Sequence, residues 1–129
     1  MAKIRHIAYR AEDVDGMADF FVKALGMTIK QKRKNNAIDL SDGTVNITVL
    51  PLGAGMPNGE QKRAGIDHIG FTAENDTEAF RMMEAAGAKK AGTVNLGTAY
   101  YEDKFMGPEG IIVDVGHWVG AAPVVKEGE

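Results

Sequence analysis

Short stretches in which hydrophobic and polar residues alternate dominate the chain, and this pattern predicts a fold built mainly of β-strands. Within residues 3–10, Ile7 and Tyr9 lie on one face of a predicted strand, whereas His6 lies on the other. One face would therefore pack on a core, and the other would line a different feature. Three more strands are predicted in the first half, at residues 27–34, 37–41 and 44–50, with turns at Asn35-Asn36 and Asp42-Gly43.

A helix is predicted between the first two strands, because apolar residues recur there at helical spacing. Asp13 or Asp15 can cap its N-terminus, and Gly26 occupies the position of a left-handed C-cap. The expected apolar stripe of this helix consists of Met17, Phe20, Phe21, Ala24 and Leu25.

The second half of the chain repeats this order of elements. A strand is predicted at 66–72, followed by a helix at about 76–86 that begins with a capping box from Asn75 to Glu78. Each half is therefore predicted to be a βαβββ module. The last three predicted strands lie near 89–94, 99–105 and 110–116.

The length of 129 residues is typical of one domain, which we expect to span residues 1–129. The two modules cover about 3–51 and 66–118, and the Gly-rich stretch 52–65 is interpreted as the linker between them.

A repeated histidine motif is the strongest sign that the two halves are related. Ile4-Arg5-His6-Ile7 recurs as Ile66-Asp67-His68-Ile69, at a constant offset of 62 residues. Two like halves that each place one imidazole at a shared centre are a natural start for a metal site.

Composition excludes several classes of function. The net charge of −3 gives no basis for nucleic-acid binding, and the absence of cysteine excludes disulfides, thiolate ligands and thiol nucleophiles. No apolar run is long enough to span a bilayer, so we expect neither a nucleic-acid nor a membrane partner. The N-terminus does not resemble a signal peptide, and we expect a cytoplasmic protein.

Two βαβββ modules that each open on a histidine-bearing strand resemble the vicinal oxygen chelate superfamily. That group includes glyoxalase I, the fosfomycin-resistance transferases, methylmalonyl-CoA epimerase, the extradiol dioxygenases and the metal-free bleomycin-binding proteins. The resemblance covers residues 3–119 or so. It implies an α+β fold in which the two modules form a curled mixed sheet around a cleft that holds one divalent metal ion.

The resemblance also implies the metal ligands. His6 and His68 match the first-strand ligand positions of the two modules. The sequence Gly107-Pro108-Glu109-Gly110 resembles the family's turn before the last strand, and Asp114 stands where the family usually has a glutamate. Two histidines and one carboxylate leave about three positions open on a six-coordinate ion, which suits Fe or Mn, with Ni or Zn as further candidates.

The first module supplies no matching carboxylate. On the polar face of its last strand, Thr48 or Asn46 would instead hold a water molecule or a substrate oxygen. Tyr100 or Tyr101 would point into the cleft as a hydrogen-bond donor or acid, and Trp118 would wall its mouth. The candidate catalytic residues are thus Asp114, Thr48 and Tyr101.

The resemblance implies a small metal-dependent enzyme whose substrate offers vicinal oxygens to the ion as a Lewis acid. The missing first-module carboxylate argues against the glyoxalase I reaction, and chain length argues against ring cleavage, which leaves lyase, isomerase or transferase chemistry. The alternative is a metal-free protein that sequesters a drug or metabolite in the same cleft. A cleft filled by large side chains would favour a third possibility, an interaction module without a ligand.

Assembly is open at the level of sequence. The modules could pair within one chain or across a dimer, and both arrangements bring the same ligands together. We expect a homodimer, because a curled open sheet needs a partner.

Overall fold

The computed structural model describes residues 2–95 and 101–116. These residues form one mixed sheet of eight strands and two α-helices, which confirms the α+β fold predicted from the pattern. In chain order the elements are β1 (Lys3–Ala11), α1 (Val14–Leu25), β2 (Thr28–Lys32), β3 (Ile38–Ser41), β4 (Asn46–Pro51), β5 (Gly65–Thr72), α2 (Asp76–Ala85), β6 (Lys89–Asn95), β7 (Tyr101–Met106) and β8 (Ile112–Gly116).

The strand order β2-β3-β4-β1-β5-β8-β7-β6 shows two modules joined side by side. Within each module the first strand pairs in parallel with the last, β1 with β4 and β5 with β8. The two first strands, β1 and β5, pair antiparallel and join the modules at the centre of the sheet. The modules therefore pair within one chain, and each has the predicted βαβββ order.

The first helix is capped as one of the two predicted alternatives. The Asp13 carboxylate accepts a hydrogen bond from the backbone N–H of Gly16 at 2.9 Å, and Gly26 ends the helix with a left-handed φ of 69°. Both features follow from local chemistry and define the ends of α1, which packs against β3 and β4.

The predicted stripe on α1 is only partly right. Phe20 and Leu25 are 57% and 64% exposed, whereas Ala18 is buried at the centre of the contact with the sheet. Ala24 of the expected stripe is exposed as well, so the buried face of the helix is rotated from the expected one. Its packing residues are Val14, Met17, Ala18, Phe21 and Val22.

The second helix covers the equivalent part of the other module. Asn75 caps it by accepting a hydrogen bond from the Glu78 backbone N–H at 3.0 Å, as the capping box predicts. Phe80 packs on Phe105 with ring centroids 5.6 Å apart. The two cores lie on one face of the sheet, which leaves the opposite face to the polar residues of the site.

Two predicted strands begin later than expected because a turn takes up their first residues. The Asp42 carboxylate accepts hydrogen bonds from the backbone N–H groups of Thr44 and Val45 at 2.8 and 2.7 Å, so β4 starts at Asn46. A short 3₁₀ turn at Pro108–Gly110 likewise delays β8.

Neither α1 nor α2 is long and apolar enough to cross a bilayer, and they are the only helices in the described ranges that exceed one turn.

Candidate metal centre

A row of residues in register crosses the polar face of the sheet. His6 on β1 lies beside Asn46 on β4 and beside Gly70 on β5. Gly70 in turn pairs with Asp114 on β8, which pairs with Lys104 on β7. The row therefore runs through both modules and brings one histidine and one carboxylate to the middle of the sheet.

His68 completes the group from the neighbouring row. It lies opposite Ala8 on β1, on the same face as His6, as the predicted repeat requires. The two imidazole rings meet edge to face with centroids 5.3 Å apart. The structure thus confirms that the duplicated histidines share a centre.

Three potential ligand atoms converge there. One donor atom each from His6, His68 and Asp114 lies within 4.8 Å of the other two. The Oδ2 atom of Asp114 is 3.2 Å from Nε2 of His68 and 3.8 Å from Nε2 of His6. Two imidazole nitrogens and a carboxylate oxygen at such separations fit a divalent transition-metal ion.

Gly70 makes room for one of these ligands. A β-carbon built on Gly70 would lie 1.9 Å from Cε1 of His6 and 2.1 Å from its Nδ1. The His6 ring therefore fills the space that a side chain at position 70 would need. The equivalent residue of the first module is Ala8, which pairs with His68 and carries a β-carbon. Only the second module therefore has a glycine at this position.

A hydrogen bond to Asp67, at the ring nitrogen that does not face Asp114, fixes the orientation of His68. Its Nδ1 atom is 2.7 Å from Oδ2 of Asp67. Because the hydrogen bond from His68 and the Arg10 guanidinium hold the pKa of Asp67 well below its usual range, this carboxylate accepts and Nδ1–H donates. In the resulting tautomer, Nε2 presents its lone pair to the site. A hydrogen bond from the other ring nitrogen to a carboxylate is the usual second interaction of a metal-binding histidine.

Arg10 extends this support to the linker. Its Nε atom donates to Oδ1 of Asp67 at 2.7 Å, and Nη1 donates to the backbone oxygens of Leu52 and Ala54 at 3.1 and 2.7 Å. Arg10 is 5% exposed, although it is charged. Arg10 and Asp67 were not identified from the sequence. The pattern that could have indicated Arg10 is a charged residue on the same face of β1 as His6.

His6 is neutral under ordinary conditions. Burial, reinforced by the nearby His68, lowers its pKa from 6.5 to about 4, against an opposing contribution from Asp114. A neutral imidazole is the form that binds metal ions, so this shift favours ligation at neutral pH.

Asp114 already has a cationic partner. The Nζ atom of Lys104 lies 2.9 Å from Oδ1 and 3.0 Å from Oδ2 of Asp114. The carboxylate is 1% exposed, and the lysine side chain is 28% exposed. Lys104 could not be identified from the sequence, because its role depends on the register between β7 and β8.

Thr48 occupies the position in the first module that Asp114 occupies in the second. Thr48 pairs with Ala8, two residues after His6, just as Asp114 pairs with Gly70, two residues after His68. This register supports Thr48 over Ile47 as the residue that faces the site. Asn46 lies on the same face, one row closer to His6.

The last strand of the first module, β4, carries no carboxylate at this position, but the neighbouring strand β3 supplies one close by. Asp39 on β3 is fully buried, and its Oδ1 atom accepts a hydrogen bond from the Thr48 hydroxyl at 2.6 Å. Arg33 and Gln31 hold the same carboxylate at 2.8 and 2.6 Å through Oδ2. The acid was missed because it lies one strand further out than the family's ligand position.

Asn46 is a buried polar group with unused hydrogen-bonding capacity. It is fully buried, and within residues 2–95 and 101–116 neither its amide nitrogen nor its amide oxygen has a hydrogen-bond partner. Such groups are uncommon in folded proteins, and they are frequent where a ligand or water completes the structure.

Three candidates from the sequence cannot be placed. Tyr100 and Trp118 lie outside the described residues. Tyr101 begins β7 opposite Asn95, but its side chain also lies outside the described part of the structure.

A family model matches most of the chain. Residues 3–115 match the model of the Glyoxalase/Bleomycin resistance protein/Dioxygenase superfamily. The chain belongs to this family. The match spans both modules and includes His6, His68 and Asp114. Among curated proteins, no relative matches the chain by sequence.

Solved structures with low sequence identity share the fold of this glyoxalase-superfamily chain. A hypothetical protein, BH1468 from Bacillus halodurans C-125, is 15% identical, with a TM-score of 0.67 over 99% of this chain and 98% of the other. A methylmalonyl-CoA epimerase from Streptomyces coelicolor in complex with 2-nitronate-propionyl-CoA is 14% identical, with a TM-score of 0.66 over 89% and 96%. The 2,3-dioxygenase LapB from Pseudomonas sp. KL28 is 14% identical, with a TM-score of 0.69 over 98% of this chain and 43% of the other.

Proposed function

We propose that the protein is a small divalent-metal-dependent enzyme that acts on a substrate with vicinal oxygens. The observation that carries this proposal is the convergence of one donor atom each from His6, His68 and Asp114 within 4.8 Å. All three side chains are buried or half-buried on the polar face of the sheet, and the family match is compatible with a metal-dependent activity.

The donor set suits the proposed ion. His6 is neutral at ordinary pH, His68 presents Nε2 because Asp67 binds its Nδ1, and Asp114 supplies an anionic oxygen. A divalent cation held by these residues would act as a Lewis acid toward a substrate oxygen. The candidate ions are Fe, Mn, Ni and Zn, since imidazole and carboxylate ligands suit all four to different degrees.

The first module would contribute substrate contacts. The amide of Asn46, buried beside His6, could donate to one substrate oxygen and accept from a hydroxyl. The Thr48 hydroxyl donates to Asp39, so its oxygen remains available to accept a hydrogen bond from a water molecule or a substrate hydroxyl. Asp39 would thereby fix the direction of that acceptor.

We favour lyase, isomerase or transferase chemistry over ring cleavage. The chain spans 43% of the length of the dioxygenase with the same fold, but 96% of that of the epimerase. The partner we propose is accordingly a small molecule.

A homodimer and a cytoplasmic location stay predictions. Light scattering of the purified protein would test whether it is a homodimer.

Metal content is the direct test. We expect protein purified without a histidine tag to contain, or to take up after chelation, about one divalent ion per chain. His6→Ala and His68→Ala should each abolish uptake of Mn²⁺ and Ni²⁺ in calorimetry, whereas Asp19→Asn on the exposed surface of α1 should retain it. A wild-type protein that binds none of Mn²⁺, Fe²⁺, Ni²⁺ and Zn²⁺ at neutral pH would refute the proposal.

One observation favours a second candidate function, a metal-free binding protein that uses the same cleft. Asp114 is already neutralised by Lys104, so its burial does not require an ion. In that case the histidines would hydrogen-bond a drug or metabolite directly. The metal titration separates the two functions, because this candidate predicts no uptake by wild type and no difference between wild type and the histidine variants.

A further inference from the structure

We propose that Lys104 determines which ligands the site accepts: it releases Asp114 when a divalent cation binds and then binds an anionic oxygen group of the ligand. This inference rests on the proposed metal-dependent function and adds a substrate class to it. The ligand would be an oxyanion, such as a carboxylate next to a second oxygen, rather than a neutral molecule with two oxygens.

Lys104 and a bound cation would compete for one atom, Oδ2 of Asp114. Lys104 contacts both oxygens of Asp114, at 2.9 and 3.0 Å. Oδ2 is also the oxygen nearest Nε2 of His68, at 3.2 Å, and is therefore the one that a shared cation would need. Because an ammonium group and a metal ion repel each other, both cannot stay close to Oδ2.

The buried and half-buried carboxylates on the polar face of the sheet are already paired, each with its own cation. The three pairs are Asp39–Arg33, Asp67–Arg10 and Asp114–Lys104. A divalent ion would therefore add two positive charges to a set of pairs that is already neutral. Uncompensated charge is unfavourable at a buried site, so the loaded site favours a ligand that brings negative charge.

Lys104 has space to move beside β6. Its partner across the β6–β7 ladder is Gly92, which has no side chain. A β-carbon built at Gly92 would meet no atom within 4 Å, and the Lys104 side chain is 28% exposed. Among the side chains that the structure describes, none fills the space beside Gly92, so the ammonium has room there to turn away from Asp114.

Lys104 therefore has two linked properties. Lys104 weakens metal binding, since it must leave Oδ2 of Asp114, and strengthens the binding of anions, since the released ammonium lies beside the site. A lysine with a purely structural role would show neither property, because its loss would only lower stability.

The test uses the 129-residue chain and three variants. Lys104→Met removes the charge at similar length, Lys104→Arg keeps the charge, and Lys23→Met removes an exposed lysine on α1 as a control. Calorimetry with Mn²⁺ on chelator-treated protein should show about tenfold tighter binding by Lys104→Met than by wild type, for removal of one nearby positive charge. Lys104→Arg and Lys23→Met should stay close to wild type.

The second measurement uses the Mn²⁺-loaded proteins and a pair of matched probes. Glycolate and glycolamide have the same two-oxygen frame, but only glycolate is charged at neutral pH. Wild type should bind glycolate at least about tenfold more tightly than glycolamide, and Lys104→Met should lose most of this preference. Thermal unfolding of each variant before the titration confirms that it is folded.

The outcomes separate this inference from the proposed function. If wild type takes up no metal, both fail. If wild type binds Mn²⁺ but Lys104→Met binds it no more tightly, or glycolamide binds as well as glycolate, the role of Lys104 is overturned while the metal-dependent function stands. Should Lys104→Met fail to fold, Lys104→Gln replaces it, and Lys104→Arg must still retain the preference for glycolate.

Discussion

The imidazole of His6 occupies the space above Gly70 that any β-carbon would fill. The two residues are partners across the β1–β5 ladder, and a β-carbon at position 70 would lie 1.9 Å from the His6 ring. This contact lies at the seam between the two modules. A proposed ligand of the first module thus depends on a missing side chain in the second.

We predict that Gly70→Ala displaces His6 and weakens metal uptake. The new methyl group must push the ring away, at a cost of about 1–3 kcal/mol in the free energy of unfolding, as for other overpacked sites. Calorimetric metal titration and chemical denaturation measure the two effects.

A double-mutant cycle provides the control for this prediction. In the His6→Ala background the ring is absent, so Gly70→Ala should cost much less stability than it does in wild type. Equal costs in the two backgrounds would show that the substitution acts through the backbone and not through His6.

Asp67 should set the metal affinity without being a ligand. Asp67→Asn replaces an acceptor with a group that can also donate, so the tautomer and orientation of His68 are no longer fixed. Loss of such a supporting carboxylate typically weakens metal binding by about 10–100-fold. Titration with Ni²⁺ should show this loss.

Glu60→Gln in the exposed linker is the matched control for the change in charge, and it should bind Ni²⁺ as wild type does. If Asp67→Asn binds Ni²⁺ with the affinity of wild type, the hydrogen bond to Nδ1 does not position His68.

The fold and the three proposed ligands could be predicted from the chain because each depends on local pattern or on the repeat. Alternation gave the strands, and the recurrence of Ile-x-His-Ile placed the two histidines at equivalent positions. The family's spacing then pointed to Asp114, and the structure brings its carboxylate within 4 Å of both imidazoles.

The supporting residues could not be predicted, because their roles depend on register between strands that are distant in sequence. Gly70 matters only because β1 and β5 place it beneath His6. Lys104 reaches Asp114 only through the β7–β8 ladder, and Asp39 reaches Thr48 only through β3 and β4. No local motif marks any of these pairs.

Thr48→Val tests the Asp39 pair. The substitution removes the hydroxyl that donates to the fully buried Asp39 carboxylate at 2.6 Å and leaves a methyl group against a charge. Leaving a buried acceptor partly unsatisfied costs about 1–3 kcal/mol in the free energy of unfolding. Thr44→Val, an exposed threonine next to the same strand, should change stability by less than about 0.5 kcal/mol. Similar small effects of both substitutions would exclude a structural role for the Thr48–Asp39 hydrogen bond.

The last prediction concerns the pH dependence of stability in chelator-treated protein. Burial lowers the pKa of His6 from 6.5 to about 4 in the folded state, so between these values the unfolded chain binds more protons than the folded one. Stability must then rise with pH across this window.

The expected loss follows from the size of the shift. Acidification from pH 7 to pH 4 should remove up to about 3 kcal/mol of the free energy of unfolding through His6 alone. His6→Gln has no titrating group at this position, so its stability should fall less steeply between pH 6.5 and pH 4 than that of wild type. Urea denaturation at half-unit pH intervals gives both curves. Parallel curves for the two proteins would mean that His6 takes up its proton as readily in the folded protein as in the unfolded chain, which a ring buried between His68 and Gly70 should not do.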